Sequence, residues 1–205
     1  MISANEFERD DNDAELSLAA ATAAGPGVVQ AGSRAPLFVL PDTAERKVSL
    51  EQLLRKGPVV LHFYRGNWCS YGEQSLNTFY STYEKVSELG ASAVAISPDR
   101  AGEILLRDPS VPDLYDLDAR VATSYGLVFK LPLSLREKYQ RAGYQPTSRG
   151  EWLVPLPAVY LVDRDGIVVM SSLEFDYRKA YQPEPLLQAL SAIQGRKGRK
   201  PAGLF

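Results

Sequence analysis

The stretch from Pro58 to Ser97 constrains this chain more than any other. Val59-Val60-Leu61-His62-Phe63-Tyr64 is a near-continuous apolar run of strand length, the pattern of a central strand covered on both faces. From about Ser70 to Leu89, Leu76, Phe79, Tyr80, Tyr83 and Val86 recur at helical spacing, and Gly90 is a suitable stop. ASAVAIS, Ala91 to Ser97, then reads as a second strand. Strand, long helix and strand make a βαβ unit, which implies two parallel strands.

The flanking sequence extends this unit. Phe38-Val39-Leu40 reads as a short strand, Thr43 to Lys47 as a turn, and VSLEQLL (48–54) as a strand start running into a helical turn. Ser49 followed by Glu51-Gln52 suits a helix start. Ala101 to Arg107 predicts a weaker helix, Leu114 to Leu117 a short strand, and Ala119 to Tyr125 a short helix closed by Gly126. Val159 to Val162 reads as a strand, Asp163 to Gly166 as a hairpin turn, Ile167 to Met170 as its partner, and Pro183 to Ile193 as the final helix. Residues 127–153 break the pattern and predict a long insertion with a helix near 133–141. Loops of that size usually cover a site or build an interface. The expected fold class is α/β, a central mixed β-sheet with helices on both faces.

The chain has 205 residues, 45% of them hydrophobic, which suits one well-packed domain. Lys and Arg number 23 and Asp and Glu 25, so the net charge of -2 gives no general pull toward nucleic acid or anionic membrane. Residues 1–31 read as a polar arm with a short helix at AELSLAAATAA (14–24), ended near Gly25-Pro26-Gly27. Residues 32–195 form the domain, and 196–205 a solvated basic tail carrying Arg196, Lys197, Arg199 and Lys200. The start lacks the basic and apolar segments of a signal peptide, and no apolar run approaches the roughly 20 residues of a membrane span. The expected location is cytoplasmic, with no membrane or nucleic-acid partner.

One cysteine, Cys69, and one histidine, His62, exclude an intramolecular disulfide, a thiolate cluster and any two-histidine site. No metal or cofactor is expected. Cys69 lies in YRGNWCSYGEQSL, between the apolar strand and the long helix. Helix N-terminal N–H groups lack intrahelical acceptors, so a thiolate there accepts them and is favoured. Arg65 adds positive charge four residues earlier, while Glu73 in the first turn opposes it. The other reading of Cys69 is a buried, inert side chain. Position 72, where a C-x-x-C pair would place its second thiol, is Gly72, and Ser70 occupies a middle position. His62 is either a base for the thiol or a hydrogen-bonded core residue. Tyr64, Trp68 and Tyr71 either shape an apolar entrance or pack between sheet and helix. Pro157 sits just before the strand at 159–162, where a missing donor is tolerated.

The run PVVLHFYRGNWCSYGEQSL resembles the AhpC/TSA peroxiredoxin-like family of the thioredoxin superfamily, whose members usually read F-Y-R-G-x-W-C-P-Y-C-x-x-E-L. GSRAPLFVLPD, VAISPD, YGLVFKLP, LVPLPAVYLVDRDGIV and LEFDYRKAYQPEPLLQAL are similar too, over about residues 32 to 193. The resemblance implies a thioredoxin-like fold, cytosolic thiol peroxidase activity and a homodimer. It implies that Cys69 is the peroxidatic cysteine, that Arg65 and Trp68 are the motif's Arg and Trp, and that Pro157 is the proline that is cis in thioredoxin-fold proteins. Ser70 replaces the motif's Pro, Gly72 its second Cys, and Gly66 the Thr of typical peroxiredoxins. Arg120 and Arg136 are candidates for a second positive group.

Three functions follow. The first is a one-cysteine peroxidase that reduces hydrogen peroxide or alkyl hydroperoxides through a Cys69 sulfenic acid and relies on an external thiol or redoxin. The second is a weak or inactive redoxin-like protein acting by partner binding or redox sensing. The third is thiol transfer through a mixed disulfide with glutathione.

Overall fold

The apolar run occupies the middle of a five-stranded sheet. The structure is a computed structural model, and it describes residues 13–23, 27–66, 68–98, 111–176, 179 and 181–198. Its elements are α1 (Asp13–Ala23), β1 (Val39–Pro41), β2 (Lys47–Ser49), α2 (Leu50–Leu54), β3 (Val59–Phe63), α3 (Ser70–Glu88), β4 (Ser92–Ser97), β5 (Asp113–Tyr115), α4 (Arg120–Ser124), β6 (Val128–Lys130), α5 (Arg136–Arg141), β7 (Leu153–Pro155), β8 (Ala158–Val162), β9 (Val168–Leu173) and α6 (Glu184–Gly198). The sheet order is β5-β4-β3-β8-β9. β3 pairs parallel with β4 and antiparallel with β8, so the sheet is mixed. The predicted helix at 101–107 and the tail residues Arg199 and Lys200 lie outside the described residues.

All five residues of β3 are buried, because successive side chains enter opposite cores. Val59, Leu61 and Phe63 join a cluster with Leu50 and Leu54 of α2, Val121 and Ala122 of α4, and Tyr139 of α5. Val60 and the neighbouring Tyr64 join a second cluster with Leu76, Phe79, Tyr80 and Val86 of α3 and Leu186, Leu190 and Ile193 of α6. The helical spacing read from the sequence is therefore the buried stripe of α3. Truncating its fully buried Leu76 to Ala would cost about 2–5 kcal/mol.

Two further features position the site. Residues 127–153 leave and rejoin the fold through an antiparallel ladder, with Val128 opposite Pro155 and Lys130 opposite Leu153. Within that excursion a 3-10 turn (Leu133–Leu135) leads directly into α5. On the same side of the sheet α1 buries Leu16 and Ala20, four residues apart on one helical face, in the larger core. Among the described residues no helix is long and apolar enough to cross a membrane.

Candidate functional site

β3 ends in a tight turn that delivers Cys69 to the start of α3. The Tyr64 N–H donates to the Ile96 carbonyl (3.1 Å), which holds the turn to the sheet. Tyr64 Oη donates onward to the Asp113 carboxylate at 3.0 and 3.1 Å, tying β3 to β5 across β4. Gly66 adopts φ 108°, a conformation L side chains rarely take. That conformation accounts for the glycine at this position. The Cys69 N–H reaches back to the Gly66 carbonyl at 3.5 Å. Cys69 is the N-cap of α3, with extended backbone (φ -112°, ψ 117°). It is free and only 1% exposed. Its side chain makes no capping hydrogen bond to the helix. A neutral thiol is a weak hydrogen-bond acceptor.

Gly72 is packed against the same turn. A Cβ built on it would lie 2.6 Å from the Gly66 carbonyl oxygen, well inside contact distance of a backbone atom. The position that usually carries the motif's second cysteine therefore has neither a thiol nor room for one.

Arg65 points into the larger core, where it is 2% exposed. Its guanidinium lies 4.7 Å from the Trp68 ring centre and 5.6 Å from that of Tyr139. Nη2 donates to Tyr139 Oη at 2.6 Å. Trp68 in turn packs on Tyr139 and Tyr144 at 5.1 and 4.9 Å, and Tyr144 packs on Trp152 at 6.3 Å. The Tyr144 hydroxyl donates to the Leu153 carbonyl. The excursion thus supplies an aromatic clamp for Arg65. Sequence reading missed Tyr139, although aromatics at 139, 144 and 152 are a concentration worth noticing in a loop-like segment. The structure also separates the two candidate second arginines. Arg136 joins the clamp, 5.8 Å over Trp152, whereas exposed Arg120 pairs outward with Asp118 at 3.1 Å.

His62 faces the other core. It stacks on Phe79 at 4.5 Å, and its Nε2 lies 3.2 Å from Ser75 Oγ. Full burial lowers its pKa to about 3, so the ring stays neutral. Beside it is a cavity of about 130 Å³, whose wall includes Tyr64, Arg65, Tyr71, Gly72 and Pro157 but not Cys69. Tyr71 is half-buried there, and Tyr64 is fully buried. The side chains of Ser70 and Glu73 lie outside the described residues. Pro157 differs from the expectation: among the described residues no peptide bond is cis. The Leu156 N–H donates to the Leu127 carbonyl (2.6 Å), and Leu156 and Pro157 join β7 to β8.

Fold and site together define a thioredoxin-like α/β protein with one cysteine at the junction between its central strand and the next helix. The sequence pattern of the AhpC/TSA family matches residues 31–171, and the chain belongs to that family. It is 30% identical over 141 residues to a thiol-disulfide oxidoreductase ResA of Bacillus thuringiensis (strain Al Hakam), covering 69% of this chain and 68% of that one. It is 29% identical over 166 residues to the chloroplastic peroxiredoxin Q of Oryza sativa subsp. japonica, covering 77% and 63%. Its fold is similar to that of peroxidoxin BcpB from Mycobacterium tuberculosis, at 25% identity and a TM-score of 0.62, covering 80% and 98%. It is also similar in fold to the peroxiredoxin 6 of Arenicola marina, solved as a cysteine-to-serine mutant, at 17% identity and a TM-score of 0.65, covering 86% and 80%.

Proposed function

We propose that this protein is a one-cysteine thiol peroxidase. The names of its relatives span two chemistries, thiol–disulfide exchange and peroxide reduction. The observation that carries the choice is the Gly66–Gly72 contact, because it leaves Cys69 as the sole thiol and closes the place of a local second one. A dithiol exchange cycle needs two sulfurs in one site, whereas peroxide reduction needs only one.

In the proposed cycle the Cys69 thiolate attacks the terminal oxygen of a hydroperoxide. The S–O bond forms as the O–O bond breaks, and the departing alkoxide or hydroxide takes a proton to leave as alcohol or water. The helix N–H groups stabilise the ionised sulfur, and Arg65 is the candidate cation for the developing charge. The sulfenic acid then reacts with an external thiol or redoxin, releasing water and forming a mixed disulfide. A second thiol restores Cys69 and carries away the disulfide. Near-complete burial of Cys69 favours a small oxidant and delays the bulkier reductant until the first turn of α3 opens.

Stoichiometric hydrogen peroxide followed by mass spectrometry tests this reading. The expected product carries one added oxygen on Cys69, is trapped by dimedone, and is absent in Cys69→Ser. Cys69 left unmodified by excess peroxide in the folded protein would overturn it.

A further inference from the structure

Among the described residues, His62 Nδ1 and Tyr181 Oη are buried with no hydrogen-bond partner. Both residues line the cavity beside β3. A buried polar atom left unmet is destabilising, so two of them on residues that line one cavity call for a partner that enters from outside. The Ser75 contact at Nε2 leaves Nδ1 as the unpaired nitrogen of the imidazole. Whichever ring nitrogen carries the proton, a hydroxyl serves Nδ1, since it both donates and accepts. Tyr181 stands edge-on to His62 at 5.5 Å and to Phe79 at 6.3 Å, and Phe79 stacks flat on His62, so the surroundings are aromatic.

Size and charge narrow the occupant. The cavity, about 130 Å³, compares with the engineered apolar cavity of about 150 Å³ that takes up benzene. The charged groups at its edge already have partners. Arg65 is engaged by Tyr139 and Trp68, and Lys179 lies 3.7 Å from Glu174. His62 is neutral, so a ligand's charge would gain nothing from it. Ser172, Lys179, Gln182 and Pro185 are exposed at the rim and leave a way in.

We propose that this cavity is a binding site for an uncharged, hydroxyl-bearing ring of about phenol size, held by His62 and Tyr181 and separate from the Cys69 thiol. Phenol titrated into the full chain, followed by saturation-transfer NMR and by the His62 imidazole resonances, tests it. Saturable binding is expected, with the His62 signals shifting. Tyr181→Phe, which keeps the ring and removes only the hydroxyl, is expected to weaken binding roughly three- to tenfold, and benzene to bind more weakly than phenol by a similar factor. His62→Phe is expected to abolish it, and Cys69→Ser to leave it unchanged whether or not Cys69 reacts with peroxide. Thermal melts confirm that each variant is folded. No saturable binding, equal affinity for phenol and benzene, an unaltered affinity in folded Tyr181→Phe, or loss of binding in Cys69→Ser would overturn the proposal.

Discussion

Replacing Gly72 by Ala tests the tightest contact of the site. The new Cβ would sit 2.6 Å from the Gly66 carbonyl oxygen, about 0.8 Å short of the 3.4 Å at which ordinary contact begins. That oxygen cannot simply swing away. It belongs to a glycine at φ 108° and accepts from the Cys69 N–H, so relief requires moving the turn or the first turn of α3. Overpacking of this kind costs about 1–3 kcal/mol. Ala recovers up to about 1 kcal/mol over Gly in a helix interior, and less at position 72, the third residue of α3. The net expectation is a loss of about 1 kcal/mol, a fall of roughly 2–4 °C in melting temperature for a chain of this length. Urea denaturation at constant m-value is the primary assay, with Gly27→Ala as control because nothing lies within 4 Å of a Cβ there. Cys69 alkylation should quicken in Gly72→Ala as the turn loosens around it. Gly72→Cys should be no better tolerated and should not restore a tight local disulfide. A Gly72→Ala protein as stable as the parent, with unchanged alkylation, would refute the reasoning.

Two other outcomes follow from the site. His62 has a folded pKa of about 3 against an ordinary value near 6.5, so the unfolded chain binds the extra proton between them; stability is complete above about pH 6.5 and falls as pH drops toward 3, by up to about 1.4 kcal/mol per pH unit. Urea midpoints across that window should flatten in His62→Phe, and an imidazole that titrates near 6.5 by NMR contradicts the buried neutral ring. Tyr139→Phe removes the 2.6 Å acceptor of Arg65 while keeping the stacked ring. The rate of Cys69 oxidation should drop roughly fivefold, the equivalent of one net hydrogen bond of about 1 kcal/mol, and an unchanged rate in the folded variant shows that the clamp does not orient Arg65 for reaction.

The parts of the fold legible in the sequence were those with a local period. The run at 59–63 and the stripe Leu76, Phe79, Tyr80, Val86 announce β3 and α3 because burial on two faces and on one face leave different patterns. The hairpin of β8 and β9 is signalled by Asp163 to Gly166, whose turn closes through Gly166 N–H to Asp163 carbonyl at 2.8 Å. Cys69 at the helix start is visible for the same reason. What stayed hidden is set by distance along the chain or by backbone angle. Tyr139 lies 74 residues from the arginine it holds. Ser75 lies 13 residues from His62, and no one-dimensional pattern places them side by side. The Gly66–Gly72 contact depends on a positive φ that glycine permits but does not require. The excursion reads as a break in the pattern because its closing strands are only three residues each, too short for an alternation to show.

The alternation along β3 makes the strand a partition between two chambers. Leu61 and Phe63 belong to the chamber that also encloses Tyr139, the arginine's clamp, and His62 belongs to the one with the cavity. A slip of one residue would exchange their contents, sending an imidazole into the larger oily core and Phe63 toward Ser75. Both neighbours, β4 and β8, pair with β3 along its whole length and bar that slip. Past Tyr64, whose N–H still donates to the Ile96 carbonyl, the pairing ends, and with it the segregation, so Arg65 borders the cavity while its guanidinium rests among the clamp aromatics. Arg65 is thus a doorway in the partition, and it stands four residues before the thiol.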